Sequence, residues 1–145
     1  MSNMLKMSEA ASLALHSVLL LAANPDRSIP AREIASKFHV SEAHLSKVLQ
    51  RLTRVGLVKS TRGPKGGFML GKTAAEISLL DVYESIEGPF VPCKCLLGNR
   101  ICGSEKCCIL GELLETVDEQ IRNYLAETKL SRLASAYRSS QNANA

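Results

Sequence analysis

The sequence predicts a mainly α-helical fold with one small β-hairpin, and two patterns support this fold class. Between residues 41 and 55, apolar side chains recur at spacings of three and four, which is typical of a helix with one buried face. Two short runs, 57–61 and 67–70, then enclose a glycine-rich turn, as expected for a hairpin. The chain has 145 residues, of which 46% are hydrophobic, so it can bury one core and carry one further element.

The first two predicted helices precede this region. Residues 4–23 are expected to form a helix that ends at the Asn-Pro-Asp sequence of residues 24–26. Its predicted buried stripe contains Met7, Ala11, Ala14, Leu15, Val18, Leu19 and Ala22. Pro30 suits the first turn of a second helix, for which residues 31–38 are predicted and in which Ile34, Ala35 and Phe38 would face the core.

The third predicted helix begins after a short turn at residues 39–40. Ser41 is a suitable N-cap, since its hydroxyl can accept from a free amide of the first turn, and Gly56 can end the helix in a left-handed conformation. The predicted buried face contains Leu45, Val48, Leu49, Leu52 and Val55. Two helices joined by a tight turn and followed by a hairpin are the winged helix-turn-helix arrangement.

Positive charge is concentrated on the third helix and the hairpin. Residues 41–72 contain seven lysines and arginines against one acid, Glu42, whereas the whole chain has a net charge of only +4. Such a concentration favours contact with the phosphates of double-stranded DNA over the alternative of a solvated helix beside an ordinary surface hairpin. The predicted DNA-binding residues are Ser41, Ala43, His44, Ser46, Lys47, Gln50, Arg51, Lys59, Arg62, Gly63, Pro64, Lys65 and Gly66.

Residues on the helix and on the hairpin are expected to have different roles. Ser41, Ala43, Ser46 and Lys47 would face base edges, and the hairpin tip, residues 62–66, would enter the adjacent minor groove. The residues expected mainly to hold phosphates are Arg51, Arg54, Lys59 and Lys65.

Three helices are predicted after the hairpin. Residues 76–87 form the first, which Ser78 can cap and whose inward face would hold Leu79, Leu80, Val82, Tyr83 and Ile86. A long amphipathic helix follows residue 108, and residues 130–137 form a last short one. Because a core of this size hardly needs so long a helix, we expect it to pack against a second copy in a homodimer. Its apolar stripe contains Ile109, Leu110, Leu113, Leu114, Val117, Ile121, Tyr124 and Leu125.

All five cysteines lie between residues 93 and 108. Cys95, Cys102 and Cys108 are almost evenly spaced, and thiolates on one glycine-containing segment can bind a soft metal centre or a small inorganic cluster. The spacing fits neither a zinc CxxC pair nor a thioredoxin CxxC. Zinc binding, thiol–disulfide sensing and chemically idle reduced cysteines are the alternatives.

Other classes of function find little support. Aromatic residues make up only 4% of the chain and tryptophan is absent, so no platform for stacking single strands is expected. The longest apolar stretch, residues 13–23, is too short to span a bilayer, and the N-terminus lacks a secretory signal. No catalytic constellation accompanies the thiols, and residues 63–67 lack the spacing of a phosphate loop. We therefore expect a cytoplasmic protein that is not an enzyme and has no small-molecule substrate and no membrane partner.

The chain resembles the Rrf-two family of bacterial winged-helix transcription regulators over nearly its whole length. The resemblance is most specific at Ile29-Pro30, at residues 52–58, at residues 62–68 in the hairpin, and at residues 86–88 ahead of the cysteines. It implies a dimeric, sequence-specific DNA-binding regulator, expected here to be a repressor. Many members sense iron, nitric oxide or redox state through a [2Fe–2S] or [4Fe–4S] cluster.

By the same resemblance, Cys95, Cys102 and Cys108 are the cysteine ligands of an iron–sulfur cluster. The fourth ligand departs from the family pattern, because Gly111 stands where one member has a histidine and Ser12 where others have a carboxylate. The candidate fourth ligands are His16, Cys107 and Cys93, although His16 could instead be a partly buried polar residue on the first helix. A cluster-free regulator, controlled by a partner protein or by thiol oxidation, is the alternative.

These inferences divide the chain into four predicted regions. A winged helix-turn-helix domain spans 1–90 and a cysteine-rich sensor loop spans 91–108. The dimerisation helix and the C-terminal helix span 109–138, and a disordered tail spans 139–145.

Overall fold

The computed structural model describes residues 5, 7–92 and 110–143. The described residues form six helices and one antiparallel hairpin, which confirms the predicted fold class. In chain order the elements are α1 (Glu9–Ala23), α2 (Ala31–Phe38), α3 (Glu42–Arg54), β1 (Val58–Thr61), β2 (Gly67–Leu70), α4 (Leu79–Glu87), α5 (Gly111–Glu127) and α6 (Leu130–Ala143).

Helix α1 lies at the centre of the core. It packs against α3, α4, α6 and β2, so it is buried around most of its circumference. The single predicted stripe was therefore partly wrong: Leu13, Leu20 and Leu21 are buried as well, whereas Leu15 and Leu19 are only half-buried. A helix with neighbours on several sides shows no clear polar face in its sequence.

The start of α1 also differs from the prediction. Residues 7 and 8 are not helical, and the helix begins at Glu9 rather than at residue 4. The Ser8 hydroxyl accepts a hydrogen bond of 3.0 Å from the Ala11 amide, so Ser8 is the N-cap. Met7 was predicted to lie on the buried stripe of α1. It precedes the helix and packs, partly buried, against the core.

The turn between α2 and α3 adopts a left-handed conformation at His39, which has φ = 54° and caps α2. The Val40 amide then donates to the Ala35 carbonyl at 3.0 Å, which closes the end of α2. As predicted, the Ser41 hydroxyl caps α3 by accepting from the His44 amide at 3.0 Å, and Gly56 has a left-handed φ of 81°. Val55 was predicted to be buried but is 50% exposed, because it follows the last helical residue and lies beyond the buried face.

Helices α4 and α6 complete the core. Helix α4 begins at Leu79 rather than near residue 76, because Ser78 and Asp81 form a reciprocal capping box with hydrogen bonds of 3.1 and 2.9 Å. Leu80 is only half-buried, contrary to its predicted inward position.

Helix α6 packs along α1, so the C-terminal helix forms part of the winged-helix core. Its start is hydrogen-bonded to the strand-like segment before α4, where the Leu130 amide donates to the Ile77 carbonyl at 2.9 Å. The helix continues to Ala143, so the predictions that it ends at residue 137 and that residues 139–145 are disordered are wrong as far as residue 143. Residues 138–143 contain no glycine or proline to stop a helix, and the Ser139 hydroxyl donates to the Ser135 carbonyl one turn earlier.

Candidate nucleic-acid interface

Helix α3 presents a polar face opposite its buried one. Leu45, Val48, Leu49 and Leu52 are buried, and they fix the rotation of the helix against the core. As a result Ser41, Ala43, Lys47 and Gln50 are exposed, and Ser46 is half-buried. The amphipathic pattern of the sequence is therefore realised in the structure, and it leaves short and basic side chains available on one surface.

His44 differs from its neighbours on this helix. The residue is only half-exposed, and its Nε2 atom is buried with no hydrogen-bond partner in the described part of the chain. Its backbone amide is used by the Ser41 cap. The imidazole is thus partly buried, although it was predicted to lie on the DNA-binding surface. Its contact with DNA stays a prediction.

Arg51 has an intramolecular partner. Its Nη2 atom donates a hydrogen bond of 2.5 Å to the carbonyl of Ile86, in the last turn of α4. Arg54 is exposed in the last turn of α3, and Lys59 is exposed in β1. Arg51 and Arg54 were both predicted to hold phosphates. Among the described residues, the guanidinium of Arg51 is hydrogen-bonded to another helix, whereas Arg54 makes no such bond.

The hairpin, called the wing below, has a tip formed by residues 62–66. The strands pair in the register Val58↔Leu70 to Thr61↔Gly67, and the Gly66 amide donates to the Gly63 carbonyl at 2.8 Å. A Cβ atom at Gly66 would lie 2.6 Å from the Thr61 carbonyl oxygen, so only glycine fits there. The tip is pre-shaped by its own backbone, and Arg62, Pro64 and Lys65 are exposed on it.

The wing is anchored to the segment that precedes α2. Ile29 and Phe68 exchange two backbone hydrogen bonds of 3.0 and 2.9 Å, and the hydroxyls of Ser28 and Thr61 lie 2.7 Å apart. Gly67 packs directly on this segment, since a Cβ atom there would lie 2.5 to 2.7 Å from backbone atoms of Ile29 and Pro30. This anchor was not predicted from the sequence. Ile29-Pro30 was noted only as one of the segments in which the family resemblance is most specific, and its contact with the wing was not foreseen.

An ion pair next to the anchor was also missed. The guanidinium of Arg27 donates to both carboxylate oxygens of Glu33, at 3.1 and 2.5 Å. This hydrogen bonding lowers the pKa of Glu33 below its ordinary value. Both side chains are about half exposed, so the pair orients Arg27 and contributes little to stability. The partners are six positions apart along the chain, a spacing that no helical pattern indicates.

The five cysteines of the predicted sensor loop, Cys93, Cys95, Cys102, Cys107 and Cys108, lie outside the described residues, so the predicted ligand set stays a prediction. Pro92 and Gly111, which are described on either side of that segment, line one cleft together with Glu115, Asp118 and Glu119. The chain therefore leaves the end of α4 and re-enters α5 beside the same cleft. Within residues 7–92 and 110–143, no group of three or more potential ligands could hold a metal ion.

His16, a candidate fourth ligand, is exposed on α1, so the alternative of a partly buried residue is wrong. Its Nδ1 atom lies 2.7 Å from the Ser12 carbonyl, and its ring meets Phe38 edge-on at a centroid distance of 6.0 Å. Because Nδ1 must donate to that carbonyl, Nε2 of the neutral ring carries the lone pair. His16 thus presents a nitrogen suited to metal binding.

Helix α5 exposes part of its apolar stripe. Leu114 and Leu125 are buried, but Leu113 is 50% exposed and Tyr124 is 56% exposed. Val117 and Ile121, which are half-buried, lie between them at helical spacing and continue the exposed face. Separately, none of the described helices is both long enough and apolar enough to cross a membrane.

The family model described as "Rrf2: Iron-dependent Transcriptional regulator" matches residues 7–136 of this chain. The chain belongs to the Rrf2 family. This is the Rrf-two family of the sequence resemblance, which is thereby confirmed.

Individual members of the Rrf2 family agree with this assignment. The putative HTH-type transcriptional regulator YwgB of Bacillus subtilis is 32% identical over 132 residues, which are 89% of this chain and 84% of YwgB. The putative HTH-type transcriptional regulator BadM of Rhodopseudomonas palustris is 40% identical over 83 residues, which are 57% of this chain and 53% of BadM. The chain thus aligns with only about half the length of BadM. These relatives are transcription regulators and not enzymes.

Among solved structures, that of CymR, the global cysteine regulator of B. subtilis, is similar with a TM-score of 0.76. It is 28% identical in sequence, and the match covers 91% of this chain and 98% of the CymR chain. The Rrf2 winged-helix architecture therefore extends over almost all of both chains.

Proposed function

We propose that this Rrf2 protein is a homodimeric, sequence-specific repressor that binds a double-stranded DNA operator through α3 and the wing. The observation that carries the proposal is the exposure of basic side chains on both elements, which contact each other between α3 and β1. Helix α3 is capped and fixed by its buried leucines, and the wing is hydrogen-bonded to the segment that precedes α2. Both expose basic side chains, and residues 41–72 have a higher net positive charge than the whole chain, with seven lysines and arginines against one acid. Acting on DNA, the protein would work in the bacterial cytoplasm.

In this proposal the N-terminal part of α3 contacts bases. Ser41, Ala43, Ser46 and Lys47 are short or flexible side chains on the first turns, where recognition helices meet base edges. The Ser41 hydroxyl accepts from the His44 amide, yet it still has its proton to donate to a base or a phosphate. Gln50 would contact either partner, and His44 contributes through its partly exposed ring.

The wing and the later part of α3 would contact the sugar–phosphate backbone. The tip residues 62–66 would enter the minor groove, where Arg62 and Lys65 meet its negative potential. Lys59 and Arg54 are exposed and would hold phosphates, which position the protein without selecting sequence.

The second copy would dock on the exposed stripe of α5. Leu113 and Tyr124 are both at least half exposed, and they lie on one face with Val117 and Ile121. An apolar face of this kind gains stability when a symmetric partner covers it. A twofold dimer would also place two recognition helices about 34 Å apart, which matches successive major grooves on one side of DNA.

The cysteine-rich segment would carry the sensor. The donor set suits an iron–sulfur cluster, since Cys95, Cys102 and Cys108 supply soft thiolates and the matched family is described as iron-dependent. A [2Fe–2S] or [4Fe–4S] cluster would supply a centre whose charge and occupancy respond to iron or oxidants. His16, with Nε2 free, is the fourth-ligand candidate that the described residues support, while Cys107 and Cys93 remain the other two.

A cluster-free regulator is the second candidate. It is favoured by the similarity to CymR, because that protein is described as a global cysteine regulator and its description does not mention iron. In that case the same thiols would respond by oxidation, or a partner protein would control DNA binding.

Two measurements on the full chain test the proposal. Protein purified without oxygen is assayed for visible absorbance, iron and acid-labile sulfide, together with Cys102→Ala and, as fourth-ligand probes, His16→Ala, Cys107→Ala and Cys93→Ala. A cluster that is absent from Cys102→Ala supports the sensor, and the fourth-ligand variant that loses the cluster identifies that ligand. A colourless, iron-free wild type would refute the cluster and leave the thiol or partner mechanism.

The second measurement is binding to DNA. Operators are selected from random duplexes by the wild-type protein, and affinity is measured by fluorescence anisotropy while sedimentation gives the oligomeric state. Enrichment of a palindromic sequence bound by a dimer supports the proposal. Equal binding to all sequences, or binding by a monomer that Leu113→Glu leaves unchanged, would refute it.

A further inference from the structure

The hydrogen bond between Arg51 and α4 joins the helix that faces DNA to the end of another element. Arg51 lies near the end of α3, and its Nη2 atom is 2.5 Å from the Ile86 carbonyl oxygen. In a longer helix that carbonyl would accept from the amide four residues later. Helix α4 ends at Glu87, and the amide of Phe90 instead donates to the Glu84 carboxylate at 2.8 Å. The Ile86 carbonyl is therefore available, and Arg51 satisfies it.

This contact combines two favourable interactions. The carbonyls of the last helical turn lack partners within the helix and carry the negative end of its dipole. A guanidinium stays positively charged at neutral pH, so it can both donate to the carbonyl and offset the negative end of the dipole. Arg51 thus acts as a C-terminal cap on α4 supplied by another helix.

The last turn of α4 also connects to two further parts of the chain. The carboxylate of Glu87 accepts from the Ser8 amide at 3.2 Å, at the start of α1. The ring of Phe90 packs against Tyr83 at a centroid distance of 5.8 Å, on the stretch that leads to Pro92. Movement of the chain after Gly88 would therefore act on a turn to which α3 is hydrogen-bonded.

We infer that Arg51 is a positioning residue, which sets the orientation of the recognition helix against the end of α4 and thereby sharpens base selection, rather than a phosphate ligand. This rests on the proposed contact of α3 with bases. It revises the role that the basic pattern alone suggests, because one of the arginines of α3 is already used within the protein. Both arginines are exposed, but Arg54 makes no such hydrogen bond among the described residues and keeps the phosphate role.

The test compares Arg51→Ala, Arg51→Lys and Arg54→Ala with wild type. In the free protein, hydrogen exchange of the Gly88 and Phe90 amides reports on the end of α4, since both amides are hydrogen-bonded there. With DNA, affinity for the selected operator and for an unrelated duplex is measured over a range of salt concentrations. The ratio of the two affinities and the salt slope then separate base selection from phosphate contact.

We expect Arg51→Ala to speed exchange of both amides and to lower the specificity ratio roughly tenfold, about the discrimination of one base pair, with the salt slope unchanged. Arg51→Lys, which keeps the charge and a donor, restores part of the ratio. Arg54→Ala leaves exchange and the ratio unchanged and reduces the salt slope by about one.

Two results would overturn the inference. Unchanged amide exchange in Arg51→Ala would show that the residue does not hold the end of α4. A salt slope reduced by about one, with an unchanged specificity ratio, would make Arg51 a phosphate ligand. If the wild-type protein selects no sequence, the operator proposal fails on its own, and amide exchange still decides whether Arg51 caps α4.

Discussion

The anchor between the wing and α2 predicts a large effect of Gly67→Ala. The added Cβ atom would lie 2.5 Å from the Ile29 carbonyl carbon, 2.6 Å from its oxygen and 2.7 Å from the Pro30 nitrogen. All three are backbone atoms, so no side chain can rotate away to make room. The wing must therefore move off the segment that precedes α2.

The cost of that movement follows from the contacts that are lost. Two backbone hydrogen bonds join Ile29 to Phe68, and a third links the hydroxyls of Ser28 and Thr61. At about 1 kcal/mol for each net hydrogen bond, their loss lowers the free energy of unfolding by about 2–3 kcal/mol. The half-buried ring of Phe68 loses part of its packing as well.

Urea unfolding followed by circular dichroism measures this change, and fluorescence anisotropy measures DNA affinity. Ser60→Ala is the matched control, since Ser60 is exposed in β1 directly opposite Phe68. We expect Gly67→Ala to unfold at lower urea and to bind DNA more weakly, and Ser60→Ala to match wild type in both assays. A Gly67→Ala protein within about 0.5 kcal/mol of wild type, with normal DNA affinity, would show that the wing is not anchored at this point.

Three further predictions test other parts of the structure. Lys65→Ala, at the exposed wing tip, should weaken binding to every DNA sequence and reduce the salt slope by about one; unchanged binding to operator and unrelated duplexes would contradict the wing assignment. His39→Gly should raise the free energy of unfolding by about 1 kcal/mol, because His39 has φ = 54° and glycine adopts this conformation without strain; a lower urea midpoint would show that the imidazole makes a contact worth more than the strain. Ser78→Ala should lower stability by about 1 kcal/mol through loss of the capping box, while Ser78→Thr should retain most of it; equal loss in both variants would point to packing rather than capping.

The sequence predicted best those elements whose structure depends on local interactions. The bounds of α2, the Ser41 cap and the glycine that ends α3 follow from capping and conformational preferences within a few residues. The same holds for the hairpin, whose tip requires glycine at residue 66 for contacts inside the hairpin itself. The helix α3, the hairpin that follows it and their concentrated positive charge were therefore predictable.

Contacts between distant segments were not predictable from one sequence. Helix α1 is buried by four other elements, α3, α4, α6 and β2. A prediction of one apolar stripe therefore underestimates how many of its residues are buried. The pairing of Ile29 with Phe68 and the bond from Arg51 to Ile86 join residues 39 and 35 positions apart, and neither leaves a periodic signal. Arg51 shows the consequence for a site: charge and helical spacing placed it beside Arg54, but its partner on α4 distinguishes the two.

These long-range contacts restrain separately the two elements that are proposed to face DNA. The wing is hydrogen-bonded to the segment that precedes α2, whereas α3 is hydrogen-bonded to the end of α4, from which the chain continues towards the cysteines. A signal at the cysteine-rich segment would therefore reach α3 through α4 without passing through the anchor of the wing. Since α3 is proposed to select bases and the wing to hold the backbone, such a signal would change affinity for the operator more than affinity for unrelated DNA. Salt titrations of both duplexes, with the sensor in its two states, would show that difference as a change in the specificity ratio at a constant salt slope.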